Sequence, residues 1–261
     1  MADTPVLAPA KINLSLHVTG RRDDGYHLLD SLVVFADIGD RLWLSNADEM
    51  SLSVVGAFAE GVPEDGRNLV WQAAERAGRV LSIRLEKNLP HGAGIGGGSS
   101  DAAAVLRWAG AGEHALSLGA DVPVCLSQAP QRMRGIGEQL GPVPVPECHL
   151  VLVNPGVHVP TPAVFRALER RDNAGMTPMA DDFVGWLGDQ RNDLQKAAIS
   201  VAPVIAEALA ALDDALVARM SGSGATCFGL YPDANTAKAS AERIAAARPC
   251  WWVRACRSFA G

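Results

Sequence analysis

Lysine, tyrosine and cysteine are scarce in this chain, and the shortages narrow the classes of protein to which it can belong. Only four lysines and two tyrosines occur among 261 residues, and the formal net charge is −6 at pH 7. Proteins that coat nucleic acid usually carry a basic excess, so this balance argues against them. No stretch approaches the ~18 uninterrupted apolar residues of a membrane span, and the first residues lack the pattern of a signal peptide. We therefore expect neither a nucleic-acid partner nor a membrane partner.

The cysteines are too few and too scattered for a disulfide framework. Five occur, no C-x-x-C pair is present, and the six histidines do not cluster with them. An odd, dispersed set of this kind is typical of buried free thiols in a reducing cytoplasm, which is the location we expect. A catalytic cysteine or a zinc site is the alternative. The positions are Cys125, Cys148, Cys227, Cys250 and Cys256.

What is present describes an ordinary globular protein. Hydrophobic residues make up 48% and charged residues 20%, which argues against disorder. The length suits one large domain or two small ones. A proline-rich stretch near residues 145–160 suggests a boundary, with one domain at 1–150 and another at 151–261.

Periodicity predicts a mixture of strands and helices. From Pro9 to Val18, apolar residues alternate with polar ones, which predicts a half-buried strand with Lys11 and Asn13 on its polar face. A polar loop is expected at 19–27. Asn68 and Thr161 are predicted N-caps. Further strands are predicted at 31–36, 41–44, 81–85, 150–153, 216–220, 226–231 and 251–256, and helices at 69–79, 101–108, 163–170, 192–212 with a break at Pro203, and 235–247. This mixture predicts an α+β fold.

Glycine is the residue in excess, and it is concentrated in one place. The chain has 26 glycines, and five of them fall between Gly92 and Gly98. The run lies between a predicted strand and a predicted helix. Successive glycines let backbone N–H groups converge, and the helix N-terminus adds a partial positive charge. Together they predict a phosphate site, in which Ser99 and Ser100 cap the helix or donate to phosphate oxygens.

Other interpretations of this run remain open. A P-loop is excluded because no lysine follows the glycines. Gly92, Gly94 and Gly97 satisfy G-x-G-x-x-G, but no strand leads into Glu113, the acidic residue that a dinucleotide site would need. A flexible linker is the other alternative, although a strand and an alanine-rich helix flank the run.

Three segments, in order along the chain, resemble the GHMP kinase superfamily. They are Pro9–Leu14 (PAKINL), residues 90–100 (PHGAGIGGGSS) and Met220–Thr226 (MSGSGAT). A simple hairpin or strand-end turn is the alternative interpretation of the third segment. Three further segments resemble family members whose acceptor carries a cytidine diphosphate group, at 19–28 (TGRRDDGYHL), 118–123 (LGADVP) and 154–162 (NPGVHVPTP). The resemblance implies two α+β domains, the first ribosomal protein S5 domain 2-like and the second ferredoxin-like.

The resemblance also implies an activity. It implies transfer of the γ-phosphoryl group of ATP, with Mg²⁺, to the 2-hydroxyl of a CDP-linked methylerythritol in the non-mevalonate isoprenoid pathway. Asp121 is then the catalytic base, Lys11 its partner, and Asn13 a residue that positions the acceptor. It implies that the ATP loop is formed by Pro90, His91, Gly92, Ala93, Gly94, Ile95, Gly96, Gly97, Gly98, Ser99 and Ser100. It implies that the cytidine end is bound by Tyr26, His27, Thr161 and Phe165.

Three other functions are alternatives to this one. The first is another small-molecule GHMP kinase, such as homoserine kinase; the second is a nucleotide-binding module without chemistry; the third is a Rossmann oxidoreductase. The chain also departs from the family pattern in two ways. The segment 102–118 is short, and Asp101 stands where asparagine is common, so we expect added negative charge near the phosphates.

Overall fold

The computed structural model describes residues 4–260. Within them lie ten strands, nine α-helices and a short 3-10 helix at Gly112–His114. The strands are β1 Val6–Arg21, β2 His27–Asn46, β3 Ser51–Val55, β4 Leu81–Glu86, β5 Gln131–Gly135, β6 Gln139–Pro142, β7 His149–Asn154, β8 Val217–Met220, β9 Cys227–Tyr231 and β10 Trp252–Arg257. The helices are α1 Leu69–Arg76, α2 Gly97–Ala109, α3 Ala115–Leu118, α4 Val122–Ser127, α5 Thr161–Ala167, α6 Phe183–Asp189, α7 Gln195–Val201, α8 Val204–Ala210 and α9 Ala234–Ala247.

The chain forms two compact units, each assembled from separate stretches of sequence. The first takes the residues up to Lys11, then Ile38–His91 and Gly96–Gln128. The second takes Ile12–Asp37, Gly92–Ile95 and the residues from Ala129 onward. Strands β1 and β2 and the glycine run therefore contribute residues to both units. The division at residue 150 stays a prediction about family domains.

In the first unit, β3, β4 and the second half of β2 form part of a six-stranded sheet. Strand β3 pairs in parallel with β4, and β4 pairs antiparallel with residues 41–46 of β2. The predicted alternation along β4 is confirmed: Leu81, Ile83 and Leu85 are each at most 2% exposed. Burial of each such side chain contributes about 1.5–3 kcal/mol. Helix α2 packs between α1 and α4, with residues 102–106 fully buried.

In the second unit, helices pack on a four-stranded antiparallel sheet with the strand order β10–β7–β9–β8. Helix α9 packs on β7 and β10, while α8 packs on β8 and β9. Residues 29–33 of β2 pair with β5, which pairs with β6. Two sheets with flanking helices confirm the α+β prediction.

Strand β1 corrects the predicted half-buried pattern. Its apolar residues are buried, but so are the polar ones that alternate with them: Lys11 is 4% exposed and Asn13, Ser15 and His17 are at most 1% exposed. Burying polar groups is costly unless they are hydrogen-bonded. These side chains therefore belong to a polar interior rather than to a solvated face.

Strand β2 runs unbroken where two strands were predicted. The sequence Asp37-Ile-Gly-Asp40 resembles a turn, but Gly39 lies within the strand at a close backbone approach: a Cβ there would overlap the Ala8 carbonyl oxygen. The predicted loop at 19–27 is only a tight turn, closed by the Arg22 N–H donating to the Tyr26 carbonyl at 2.8 Å.

Helix boundaries test the predicted caps. The Asn68 side chain accepts from the Val70 N–H at 3.1 Å, which confirms it as the N-cap of α1 and stabilises the helix by about 1 kcal/mol. Thr161 is not an N-cap: Pro160 holds that position and Thr161 is the first helical residue. The break near Pro203 is confirmed by α7 and α8. In the part of the chain that the structure describes, no helix is long and apolar enough to cross a bilayer.

Candidate active site

The structure brings Lys11 and Asp121 together. The Lys11 Nζ lies 2.9 Å from the Asp121 Oδ2. Lys11 extends from β1 and is almost wholly buried, whereas 43% of the Asp121 side chain is exposed. Asp121 occupies the position before α4 but makes no capping hydrogen bond. One carboxylate oxygen is thus held by a fixed cation while the group remains open to solvent, the arrangement that a base needs.

Helix α2 begins inside the glycine run, earlier than predicted. Gly96 is its N-cap in the left-handed conformation, at φ 64°, and Gly97 is the first helical residue. A Cβ on Gly96 would lie 3.2 Å from the Lys11 Cβ. The positively polarised start of α2 therefore lies directly against the Lys11 side chain, where an anion would be stabilised by both.

The two serines do not cap this helix, because Gly96 occupies the N-cap position. Ser100 is fully buried, and its Oγ has no hydrogen-bond partner among the atoms described. Ser99 is only half-buried and lies in the first turn of α2. The capping prediction is wrong, and donation to phosphate stays a prediction.

The middle of the glycine run, Gly92–Ile95, is held by the turn at Ser221–Gly224. The Ser221 Oγ donates to the Gly94 carbonyl at 3.0 Å, and the Thr226 N–H donates to the Ala93 carbonyl at 3.1 Å. Gly94 has φ +72°, and a Cβ there would lie 2.5 Å from the Ser221 carbonyl oxygen. The third motif thus acts as a clamp on the run.

Side chains in the run differ in their surroundings. Ala93 and Ile95 are buried, so any contact they make with a nucleotide is through the backbone. His91 is exposed, with its ring edge-on to Phe58 at a centroid distance of 6.3 Å, and Pro90 is partly exposed. Gly98 is exposed in the first turn of α2.

Asn13 is held by a buried hydrogen-bond network. Its Nδ2 donates to the Ser31 Oγ at 2.8 Å, and its backbone N–H donates to the Ser221 Oγ at 3.0 Å. The Ser31 Oγ donates to the Ser15 carbonyl at 2.6 Å. The Asn13 Oδ1 is buried without a hydrogen-bond partner among the described residues. Ser31 and Ser221 were not singled out as site residues from the sequence.

His27 and Phe165 lie together, whereas Tyr26 lies apart. The two rings stack with centroids 4.5 Å apart and planes 21° apart, while Tyr26 is 59% exposed. Burial, with the nearby charges of Arg21 and Arg171, lowers the pKa of His27 below its ordinary value, and its buried Nε2 has no partner within the described chain. A base can enter between the rings only if their spacing grows to about 7 Å.

Thr161 contacts the clamp. Its Oγ1 lies 2.7 Å from the Ser223 Oγ, so the start of α5 is connected to the turn at Ser221–Gly224. Because Phe165 lies one helical turn further along α5, this contact also fixes the helix that presents the aromatic ring.

A buried cluster beneath the start of α2 could not be found from sequence. The Lys87 Nζ donates to Asp40 and, at 2.6 Å, to the Asp101 Oδ2; all three side chains are at most 5% exposed. The Asp40 Oδ1 accepts from the N–H of Asn88 and of Leu89. Asp101 is therefore not a free charge, which corrects the expectation from sequence; it shares the Lys87 ammonium group with Asp40. The only sequence feature that could have indicated this cluster is the position of Lys87 just after the strand predicted at 81–85.

Comparison with known proteins agrees with these features. Residues 68–119 match the model of the GHMP kinases N terminal domain, and residues 165–249 match that of the GHMP kinases C terminal region. A Paracoccus denitrificans (strain Pd 1222) protein named 4-diphosphocytidyl-2-C-methyl-D-erythritol kinase is 55% identical, covering 95% of this chain and 94% of that protein. One of the same name from Ruegeria pomeroyi (strain ATCC 700808 / DSM 15171 / DSS-3) is 54% identical, covering 94% and 95%.

Solved structures show the same likeness. The crystal structure of a 4-(cytidine 5'-diphospho)-2C-methyl-D-erythritol kinase superposes with a TM-score of 0.81 at 33% identity, covering 98% of this chain and all of that one. A homoserine kinase from Cytophaga hutchinsonii reaches a TM-score of 0.69 at 16% identity, which shows a shared fold only. The chain therefore belongs to the GHMP kinases and, within them, to the 4-diphosphocytidyl-2-C-methyl-D-erythritol kinase family.

Proposed function

We propose that this protein transfers the γ-phosphoryl group of ATP to the 2-hydroxyl of 4-diphosphocytidyl-2-C-methyl-D-erythritol, giving the 2-phosphate and ADP in the non-mevalonate isoprenoid pathway. The observation that carries the proposal is the Lys11–Asp121 pair beside the start of α2. Relatives more than half identical over nearly the whole chain are named for this reaction, which favours it over homoserine kinase.

The reaction needs a base because an alcohol is a poor nucleophile at neutral pH. In our proposal the Asp121 carboxylate takes the proton of the 2-hydroxyl. The oxygen of that hydroxyl bonds to the γ-phosphorus of ATP, and the bond between the γ-phosphorus and the bridging oxygen breaks, which releases ADP. Lys11 holds one oxygen of the Asp121 carboxylate in place at 2.9 Å. In our proposal Lys11 also offsets negative charge on the transferring group.

The phosphates are bound mainly by backbone groups. The first N–H groups of α2, at Gly97 and Gly98, have no carbonyl partner within the helix and so suit phosphate oxygens. This explains how an acidic chain with four lysines binds two anionic substrates.

The cytosine ring is assigned to His27 and Phe165. A neutral His27, favoured by its lowered pKa, offers one donor or one acceptor at the buried Nε2, and an aromatic pair offers stacking surface. Tyr26, which precedes His27 in sequence, and Thr161, one helical turn before Phe165, remain assigned to the substrate. We also infer that the protein acts in the cytoplasm.

Magnesium is assigned to the nucleotide rather than to a protein cage. Among residues 4–260, no group of three histidine, cysteine or acidic side chains is placed to hold a metal ion. Mg²⁺ commonly takes most of its ligands from phosphates and water, and when bound it neutralises phosphate charge. Within the described residues, the structure therefore offers no dedicated cage for magnesium.

Release of ADP from ATP, measured with each candidate acceptor, tests the proposal. We expect turnover with the cytidine diphosphate substrate and none with homoserine or mevalonate; a preference for homoserine would refute the proposal.

The Asp121→Asn variant tests the base. It should lower kcat by about 10²-fold or more while ATP binding is kept, because asparagine keeps the shape of the side chain but cannot accept the proton. Asp48→Asn, at an exposed turn, is the control. A module without chemistry would show no turnover in either form.

A further inference from the structure

The Ser31 hydroxyl has one proton, and the structure shows where that proton goes. The Ser31 Oγ lies 2.6 Å from the Ser15 carbonyl oxygen, which can only accept a hydrogen bond. The proton of Ser31 is therefore directed at Ser15. Any other group close to the Ser31 Oγ must be a donor.

This fixes which way the Asn13 side-chain amide faces. The group close to the Ser31 Oγ is the Asn13 Nδ2, at 2.8 Å, and an amide nitrogen is a donor. The flipped amide would place its oxygen against a hydroxyl with no proton left to give. The backbone of Asn13 is also fixed, because its N–H donates to the Ser221 Oγ. Ser31 thus orients the Asn13 amide on a backbone that cannot turn.

The fixed orientation leaves one acceptor unused. The Asn13 Oδ1 is buried and has no hydrogen-bond partner among the described residues. Buried polar atoms without partners are rare in folded proteins, and at a functional site they point to a missing ligand. Asn13 follows Lys11 by two residues on β1, so both side chains leave the same face of the strand. A ligand donor near Lys11 is the natural partner of this oxygen.

That donor is not the reacting hydroxyl. The 2-hydroxyl has a single proton, and in the proposed reaction that proton passes to Asp121. An acceptor atom such as the Asn13 Oδ1 must then pair with a different hydroxyl of the substrate. In methylerythritol, the hydroxyls on carbons 1 and 3 flank the reacting one.

We propose that Ser31 is a positioning residue: it orients the Asn13 amide so that Oδ1 accepts a hydrogen bond from a hydroxyl adjacent to the one that is phosphorylated. The proposal rests on the proposed function for the identity of the substrate. It makes the Ser31–Asn13 pair a determinant of which hydroxyl faces the base.

Kinetics of Ser31→Ala and Ser31→Thr test the role. Ser31→Ala should lower kcat/KM for the acceptor about tenfold and leave the KM for ATP unchanged, since one substrate hydrogen bond is lost. Ser31→Thr keeps the hydroxyl and should restore kcat/KM. Ser51→Ala, at an exposed serine, gives the baseline for a neutral change. Equal losses in the Ala and Thr variants, or a raised KM for ATP, would overturn the proposal.

Analogues lacking the 1-hydroxyl or the 3-hydroxyl separate positioning from a structural role. In the wild-type protein one of the two should react about tenfold more slowly than the full substrate. In Ser31→Ala that difference should vanish, because the hydroxyl has already lost its acceptor. Persistence of the full difference in Ser31→Ala would contradict the assignment.

A measurement without substrate keeps this test independent of the proposed function. In ¹⁵N-labelled free protein, exchange of the Asn13 Nδ2 protons should be slowed in the wild type and in Ser31→Thr, and fast in Ser31→Ala. Asn13→Asp assigns the signals. If exchange is the same in all three proteins, Ser31 does not orient the amide, whatever the substrate. Absence of wild-type turnover would instead refute the function alone.

Discussion

Asp101 shows how the meaning of a single side chain depends on partners far away in sequence. Its position at the start of α2 predicts a charge near the phosphates, yet it is buried beside Lys87 and Asp40. Two acids share one cation there. Burial, offset by Lys87 and reinforced by Asp40, raises the pKa of Asp101 from 3.8 to about 7.

The raised pKa of Asp101 makes the stability of the folded protein depend on pH. A carboxyl whose pKa is raised on folding stabilises the folded state below the unfolded pKa, and that stabilisation is lost as pH rises from about 4 to about 7. Asp101→Asn removes the titration and keeps an acceptor for Lys87. We expect the variant to gain, relative to wild type, on the order of 2 kcal/mol between pH 5 and pH 8. Urea unfolding at both pH values measures it.

The exposed Asp48 provides the comparison for that measurement. Asp48→Asn makes the same chemical change at an exposed bend and is the control. A gain in Asp101→Asn that is equal at pH 5 and pH 8 would mean that Asp101 is ionised throughout.

Among the elements, the glycine run is the one most constrained by its neighbours. Gly94→Ala would place a Cβ 2.5 Å from the Ser221 carbonyl oxygen and 2.8 Å from the Gly224 nitrogen, at a positive φ. Both contacts are backbone atoms, so neither can rotate away. We expect a loss of about 2 kcal/mol or more in the free energy of unfolding, together with a raised KM for ATP.

Gly98→Ala is a matched change in the same run. Its added Cβ would meet only the Leu69 Cδ1, at 3.7 Å, and the backbone there is helical. Stability should be unchanged or rise by up to about 1 kcal/mol, since alanine favours helix over glycine. Thermal unfolding of the two variants compares them, and equal losses would show that backbone contacts at Gly94 are not the cause.

Elements were predictable from sequence where periodicity was local. The alternation of β4 and the Asn68 cap of α1 are confirmed because each depends on residues within one turn or strand. The continuity of β2 through Gly39 was missed because it depends on a close approach to Ala8. Helix α6, which carries the buried Trp186, was missed because it is short and has glycine at its third position.

The candidate site, too, could be predicted from sequence only in part. The Lys11–Asp121 pairing was expected from the family resemblance, and the structure places the two side chains in contact. Ser31, Ser221 and Lys87 were not expected as partners, because only the folded chain brings them to Asn13, Gly94 and Asp101. Hydrogen-bond partners distant in sequence leave no periodic signal.

At the scale of the whole molecule, net charge works against substrate binding. The chain carries −6, and every lysine lies beside an acidic side chain. The pairs are Lys11–Asp121, Lys87 with Asp40 and Asp101, Lys196–Glu169 and Lys238–Glu242. Attraction of ATP must therefore come from groups at the site rather than from a long-range field.

This predicts a weak dependence on salt. Raising KCl from about 50 mM to about 200 mM should change kcat/KM for ATP by less than about threefold, because screening acts mainly on the long-range field. Initial rates at fixed acceptor concentration measure it. A steep fall with salt would instead indicate steering by a basic patch, for example one built from arginines.

The clamp at Ser221 has a consequence for the protein during its synthesis. Ser221 bonds to Asn13 across 208 residues of chain and to Gly94 across 127. Neither Asn13 nor the glycine run can make these hydrogen bonds until Ser221 has left the ribosome. Nascent chains that stop short of Ser221 would carry every residue assigned to ATP and to the base, yet they would have no finished site to hydrolyse ATP wastefully.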